Sequence, residues 1–247
     1  MKNRLCFVLL LILVLLSPSQ ASDLRVAVAS NFLPVMQELV VEFQKTADVS
    51  VRISAGSSGK HYVQILNGAP YDLFFSADAD KPLLLEQQGL GIAGTRFTYA
   101  VGRLVLWPSA AESEAALAEL QRLSTNDDAY LAIANPRLAP YGLAAQQVLE
   151  YLSLWDGLDG SIVQGENIAQ TFQYVASGNA RLGFVASSQL LAYGKGAAER
   201  WLVPAEMHKP INQQLIVLQD GAAARKFLAY VQNPSAQAII PVSYTHL

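Results

Sequence analysis

Four short segments of the sequence place small or polar residues directly before the start of a predicted helix. They are Ser30-Asn31, Gly56-Ser57-Ser58-Gly59, Pro140-Tyr141-Gly142 and Glu166-Asn167-Ile168. The first turn of a helix carries backbone N–H groups without intrahelical partners, together with the positive end of the helix dipole. Several such ends directed at one point can bind an anion without any Lys or Arg. N-capping is the better explanation of any single segment, so the anion-site hypothesis depends on the fourfold recurrence.

The same residues allow one catalytic alternative. Ser57 and Lys60 have the S-x-x-K spacing of the penicillin-recognising acyl enzymes, which makes a secreted serine hydrolase the alternative from another class of protein. That chemistry also needs S-D-N and K-T-G elements, and neither occurs in the sequence. The three histidines, His61, His208 and His246, form no i, i+4 pair that would indicate a metal site. The residues therefore favour a binding protein over an enzyme.

The order of the elements predicts a layered α/β fold. Strand-like and helix-like segments alternate in the first third of the chain: Leu24–Ala29, Phe32–Gln44, Val49–Ile53, Ser58–Asn67 and Leu73–Ser76. In the first of the helix-like segments, apolar residues recur about every 3.6 residues. A β-α-β-α-β order is typical of a parallel sheet with helices on both faces.

A second set of elements predicts a second lobe. Its segments are a long strand Tyr99–Trp107, a strand Leu131–Ala134, helices Gly142–Leu152 and Ile168–Ser177, and a strand Leu182–Val185. The chain then returns through a strand Gln214–Leu218 and a helix Ala222–Val231. We expect residues 23–102 with 212–247 to form the first lobe and residues 103–211 the second. Each lobe is predicted to be a mainly parallel sheet flanked by helices, with the ligand in the cleft between the lobes.

The first 22 residues have the pattern of a signal peptide. Lys2 and Arg4 precede an apolar run, Leu5–Leu16, and small residues around Ala21 fit a cleavage site after about that residue. The run has 12 residues, whereas a membrane-spanning helix needs about 20. A cleaved signal is therefore favoured over a membrane anchor, and the mature protein is predicted to be periplasmic.

The composition excludes several classes of partner. The net charge is −3, and no run of Lys or Arg stands out, so neither nucleic acid nor an anionic membrane surface is an expected partner. The single cysteine, Cys6, lies inside the predicted signal. The mature chain therefore has neither a disulfide nor a cysteine metal site.

At these segments the chain resembles the periplasmic molybdate-binding components of ABC importers, a family of type II solute-binding proteins. The stretches that carry the resemblance are 28–32, 56–60, 67–78, 96–102, Asn135-Pro136, 139–142, 165–170 and 182–186. Their order and spacing hold from about Leu24 to Ile240, which is nearly the whole predicted mature chain. The match is specific for the family and less specific for the exact oxyanion, so another oxyanion such as sulfate stays open as an alternative.

The resemblance implies a two-lobed binding protein without enzyme activity or cofactor. Its ligand would be molybdate or tungstate, held through the oxygens without direct ligands to the metal and delivered to the membrane permease of an ABC transporter. Carried over residue by residue, the hydrogen-bond donors are Ser30, Asn31, the hydroxyl and backbone N–H of Ser58, and the backbone N–H groups of Tyr141 and Ile168. We expect a monomer.

The chain departs from the family pattern at two places. Some members have a tyrosine hydroxyl in the site after the strand Leu182–Val185, but this chain has Ala186 there. Family members usually finish with a Gly-Tyr-type segment after the last helix, and the residues after Ile240 do not follow that pattern. The tail is therefore assigned no function.

Overall fold

The structure is a computed structural model that describes residues 22–109, 112–123, 125, 129–158, 160–194 and 200–240. Nearly all of the predicted signal peptide and the tail after Ile240 lie outside the described residues. Within the described part of the chain, the helices are all too short or too polar to cross a membrane.

The first lobe is built on a five-stranded sheet with the order β2-β1-β3-β10-β4. Its strands are β1 (Ser22–Ala29), β2 (Val49–Gly56), β3 (Leu73–Ser76), β4 (Phe97–Gly102) and β10 (Ile211–Val217). β1 pairs in parallel with β2 and β3, whereas β10 is antiparallel to both β3 and β4. Four of the five strands therefore run in one direction, as the alternation of strands and helices predicts.

Helices cover both faces of this sheet. They are α1 (Leu33–Gln44), which follows a 3-10 turn Ser30–Phe32, α2 (Ser58–Leu66), α3 (Asp80–Gln87), α8 (Ala222–Val231) and α9 (Pro234–Gln237). Val26 and Val28 of β1 share a buried cluster with residues of α1 and α8. Ala27, which points to the opposite face, shares another with Ile65 of α2. The period-two alternation of a strand thus builds two hydrophobic layers from one segment.

The second lobe repeats this arrangement with a sheet of order β7-β6-β8-β5-β9. Its strands are β5 (Leu104–Trp107), β6 (Leu131–Ala134), β7 (Ile162–Gly165), β8 (Leu182–Ala186) and β9 (Trp201–Leu202). Its helices are α4 (Ser113–Leu123), α5 (Pro140–Tyr151), α6 (Ile168–Ala176) and α7 (Ser187–Tyr193). β5 is the one strand of the five that runs against the others.

The expectation of one long strand over Tyr99–Trp107 is wrong. The segment divides at the exposed Arg103 into β4 and β5, which belong to different sheets. Gly102 pairs with Ile211 of β10, whereas Leu104 pairs with Ala186 of β8. A single charged residue such as Arg103 also fits within one continuous strand, so the sequence alone does not reveal this division.

Other differences concern the ends of elements. α5 begins at Pro140 and not at Gly142, because proline is well suited to the first helical position, where its missing N–H costs nothing. β10 begins at Ile211 and not at Gln214. The division of the chain between the lobes at 102/103 and 211/212 stays a prediction. Close to those points the chain passes from one sheet to the other, since β4 ends at Gly102, β5 begins at Leu104 and β10 begins at Ile211.

Candidate functional site

All five residues that the resemblance assigns to the ligand are buried at the starts of helices. Their exposed fractions are 7% for Ser30, 1% for Asn31, 0% for Ser58, 1% for Tyr141 and 3% for Ile168. They follow the carboxyl ends of β1, β2, β6 and β7, which is where ligands bind in open α/β sheets. Each helix start can offer a ligand only those donors that other groups of the protein do not already use.

At the start of α2, the three backbone donors Ser58, Gly59 and Lys60 are used differently. The Ser57 side chain caps the helix and accepts a 3.3 Å hydrogen bond from the N–H of Lys60. The N–H of Gly59 donates across the cleft to the carbonyl oxygen of Leu138 at 2.8 Å. The N–H of Ser58 has no acceptor within the described part of the chain. In this turn, the N–H of Ser58 is therefore not used by the cap or by the contact with Leu138.

The Ser58 hydroxyl is held in place from behind. Its oxygen accepts a 2.9 Å hydrogen bond from the N–H of Ala77, in the segment that follows β3. A hydroxyl that accepts one bond in this way keeps its own proton for donation. Ser58 can therefore offer two donors, one from the hydroxyl and one from the backbone.

The start of α6 is divided in the same way. The Asn167 side chain caps the helix by accepting hydrogen bonds from the N–H groups of Ala169 and Gln170, at 3.0 and 3.1 Å. The N–H of Ile168 has no acceptor among the residues that the structure describes. The Asn167 side chain thus occupies the two N–H groups that follow Ile168 in the first turn of α6.

α5 carries its first backbone donor on Tyr141, because Pro140 has no N–H. The Tyr141 ring is buried and extends toward Gly102, where the chain passes from the first lobe to the second. A Cβ placed on Gly102 would lie 2.2 Å from the Tyr141 hydroxyl oxygen and 3.1 Å from Nε2 of Gln213. Tyr141 therefore packs directly against the connection between the lobes, and glycine at position 102 permits this approach.

The first helix start joins the two lobes. The Ser30 hydroxyl donates to Oδ1 of Asn167 at 3.2 Å and accepts from the N–H of Ala169 at 3.3 Å. Asn31 donates from Nδ2 to Oε1 of Gln213 at 2.8 Å. Its carbonyl oxygen accepts a 3.4 Å bond from the Ser188 hydroxyl. Ser30 and Asn31 therefore both contact residues of the second lobe.

Sequence reasoning missed Gln213 and Ser188. Gln213 is fully buried in β10, a strand that otherwise contributes Leu, Ile and Val to the core. A glutamine in such a strand is a signal that could have identified this residue. Ser188 has no comparable signal, because a serine in the first turn of a helix has many ordinary explanations. Asn167 was singled out from the sequence, but only as part of a helix start.

Charged groups stay at the rim of this region. Lys60 Nζ lies 3.5 Å from Glu166 Oε2, and the two side chains are 56% and 70% exposed. This exposed pair bridges the lobes without entering the buried site. Among the five candidate ligand residues, only the phenol of Tyr141 is ionisable. The described residues also include no group of His, Cys, Asp and Glu that could hold a metal ion.

His61 of α2 is buried behind the site and is held in its neutral form. Burial lowers the pKa of its imidazole, and the hydrogen bond with Gln64 opposes this only in part. Nδ1 lies 3.1 Å from Gln64 Oε1, and the ring contacts Tyr71 and Phe74 edge-on. Burial thus favours the neutral imidazole at this helix start.

The Ser57 and Lys60 pair lacks the arrangement of a nucleophile and its base. Ser57 Oγ caps α2 by accepting the backbone N–H of Lys60, and the Lys60 ammonium group points to Glu166. The side chains that would have to exchange a proton are thus engaged elsewhere.

The chain is similar to one class of known proteins in both sequence and structure. Residues 24–242 match the family described as bacterial extracellular solute-binding protein. The chain belongs to this family, whose members are binding proteins and not enzymes.

Relatives within this class are similar over almost their whole length. The molybdate-binding protein ModA of Azotobacter vinelandii is 42% identical over 229 residues, which cover 90% of this chain and 89% of the relative. ModA of Rhodobacter capsulatus is 37% identical, with 94% and 91% covered. The solved structure of the Azotobacter vinelandii periplasmic molybdate-binding protein matches with a TM-score of 0.81 and 40% identity, covering 91% of this chain and 99% of that one. The two-lobed fold predicted from the sequence is therefore confirmed.

Proposed function

We propose that this protein captures molybdate or tungstate in the periplasm and delivers it to the membrane permease of an ABC transporter. The observation that supports this most directly is the set of neutral donors at buried helix starts from both lobes. The similarity to proteins named for molybdate binding identifies the ligand class. The predicted signal peptide over residues 1–22 supports a periplasmic location of the mature protein, which we expect to act as a monomer.

The proposed donors are Ser30, Asn31, Ser58, Tyr141 and Ile168. In α2 and α6, capping and interlobe bonds occupy the neighbouring N–H groups, and the backbone donors of Ser58 and Ile168 remain for the ligand. Helix dipoles and backbone N–H groups stabilise a negative charge without a counter-ion. The oxyanion is thus bound through its oxygens, with no protein ligand to the metal.

Discrimination against sulfate follows from the rigidity of the donors. The donors are anchored on helix starts and cannot move inward to follow the shorter bonds of sulfate. Each buried donor left without a partner costs about 1–3 kcal/mol. We therefore expect sulfate and phosphate to bind much more weakly than molybdate and tungstate.

The experiment is a calorimetric titration of the mature protein with molybdate, tungstate, sulfate and phosphate. The expected result is one-to-one binding of the first two anions with clearly higher affinity. Equal affinities for sulfate and molybdate contradict the proposed specificity. Turnover of an ester substrate that is lost in Ser57→Ala would instead favour the hydrolase alternative.

A further inference from the structure

One contact between the lobes involves no side chain and no proposed ligand donor. The N–H of Gly59, in the first turn of α2, donates a 2.8 Å hydrogen bond to the carbonyl oxygen of Leu138 in the second lobe. The bond lies one residue after Ser58, so it fixes the same helical turn that carries a proposed donor. Because it needs no ligand, it can stabilise the closed arrangement of the lobes by itself.

Leu138 is held rigidly by its own lobe. The N–H groups of Leu138 and Ala139 donate to the Asn135 carbonyl oxygen at 3.0 and 2.8 Å. The Asn135 side chain accepts from the N–H of Arg137 at 3.0 Å. Asn135 itself donates from its N–H to Gly165 at the end of β7. The Leu138 carbonyl therefore cannot withdraw without disturbing the sheet of the second lobe.

The approach of the two backbones leaves no room for a side chain at position 59. A Cβ on Gly59 would lie 2.8 Å from the Leu138 carbonyl oxygen and 2.9 Å from the Leu138 Cα. Both contacts are with backbone atoms, so no side-chain rotation can relieve them. Gly59 has ordinary helical geometry, and alanine favours a helix over glycine, so its own helix does not require glycine here.

We propose that Gly59 determines closure of the lobes: its missing side chain lets the α2 backbone dock on Leu138, and any side chain there shifts the protein toward the open form. An anion that contacts both lobes binds the closed form preferentially. Its apparent affinity therefore decreases when the closed fraction of the protein decreases. This inference rests on the proposed oxyanion function for its binding readout, but its conformational readout is independent of any ligand.

The test compares Gly59→Ala with Gly221→Ala. Gly221 precedes α8 at a negative φ of −116°, and a Cβ there meets no atom within 4 Å. Both variants make the same chemical change, but only one places a methyl group between the lobes. Binding of molybdate is measured by calorimetry. Lobe closure is measured as the distance distribution between spin labels at Val41→Cys and Tyr151→Cys, which are exposed positions of the first and second lobe.

We expect Gly59→Ala to bind molybdate about tenfold more weakly or worse, with a smaller closed population and no loss of thermal stability. Gly221→Ala should stay within about twofold of the parent. Equal distance distributions for the parent and Gly59→Ala overturn the inference whether or not an anion binds. A parent that binds none of the four anions, but still closes more than Gly59→Ala, contradicts the proposed function and leaves the role of Gly59 intact.

Discussion

Asn31 Nδ2 donates a 2.8 Å hydrogen bond to Oε1 of Gln213, which joins the first helix start to the strand by which the chain returns to the first lobe. Gln213 is fully buried, and its Oε1 also lies 3.4 Å from the Tyr99 hydroxyl. Its Nε2 has no hydrogen-bond partner within the described residues. A proposed ligand donor is thus held by a residue that does not itself need to contact the ligand.

The first prediction concerns this pair. Gln213→Leu should weaken molybdate binding and lower the free energy of unfolding by about 1–3 kcal/mol, because it removes the hydrogen bond between the buried Asn31 and Gln213 amides. A double-mutant cycle with Asn31→Ala, read by calorimetry and urea unfolding, should give a coupling energy of about 0.5–3 kcal/mol. Strictly additive effects on both readouts would show that the two residues act separately.

The second prediction separates two neighbouring serines. Ser58→Ala removes a proposed donor and should weaken molybdate binding by roughly 1–3 kcal/mol. Ser57→Ala removes only the cap of α2 and should lower the free energy of unfolding by about 0.5–2 kcal/mol, with a smaller effect on binding. Titration and thermal unfolding of both variants measure this. A greater loss of affinity in Ser57→Ala than in Ser58→Ala would contradict the assignment.

The third prediction tests the neutral character of the site. Lys60→Ala removes an exposed ion pair with Glu166, and such pairs contribute about 0–1 kcal/mol. Molybdate affinity should therefore change by no more than about fivefold, and less at high salt. Glu166→Ala provides the matched control, since it breaks the same pair from the other side. Abolished binding in Lys60→Ala would indicate that charge pairing holds the anion.

The fourth prediction concerns the backbone donor of α5. Tyr141→Pro removes the N–H, whereas Tyr141→Phe keeps both the N–H and the ring that packs near Gly102. Small-angle scattering with saturating molybdate should show compaction in the parent and in Tyr141→Phe, but little in Tyr141→Pro. Tyr141→Ala should also keep the donor, although it loses a fully buried ring. Absence of compaction in the parent would argue for a site confined to one lobe.

The fifth prediction is a pH dependence of stability. Burial lowers the pKa of His61 in the folded protein, so below the unfolded pKa of about 6.5 the unfolded chain binds more protons. Stability from this residue is therefore complete above that pH and is lost as the pH falls toward the folded pKa. The slope is at most about 1.4 kcal/mol per pH unit. Urea unfolding between pH 7.5 and 5.0 should show a smaller loss of unfolding free energy in His61→Gln than in the parent.

The sequence by itself determined the local elements and their class. The helix Ile168–Ala176 was predicted to within one residue of its end, because Asn167 caps it and Gly178 follows it at a φ of 78°. The strand Leu73–Ser76 and the helix Ala222–Val231 were predicted with their observed bounds. Periodicity, caps and stop signals act within a few residues, so they can be read from the chain alone.

Only the tertiary structure decided how these elements meet. The break at Arg103 depends on β4 pairing with β10 and β5 pairing with β8, which are far away in the sequence. The bonds from Asn31 to Gln213 and from Gly59 to Leu138 likewise join distant residues. No local pattern records such partners, because a hydrogen-bond donor at a helix start looks the same in sequence whether it faces water, a ligand or another lobe. The packing of the two lobes determines which of these it faces.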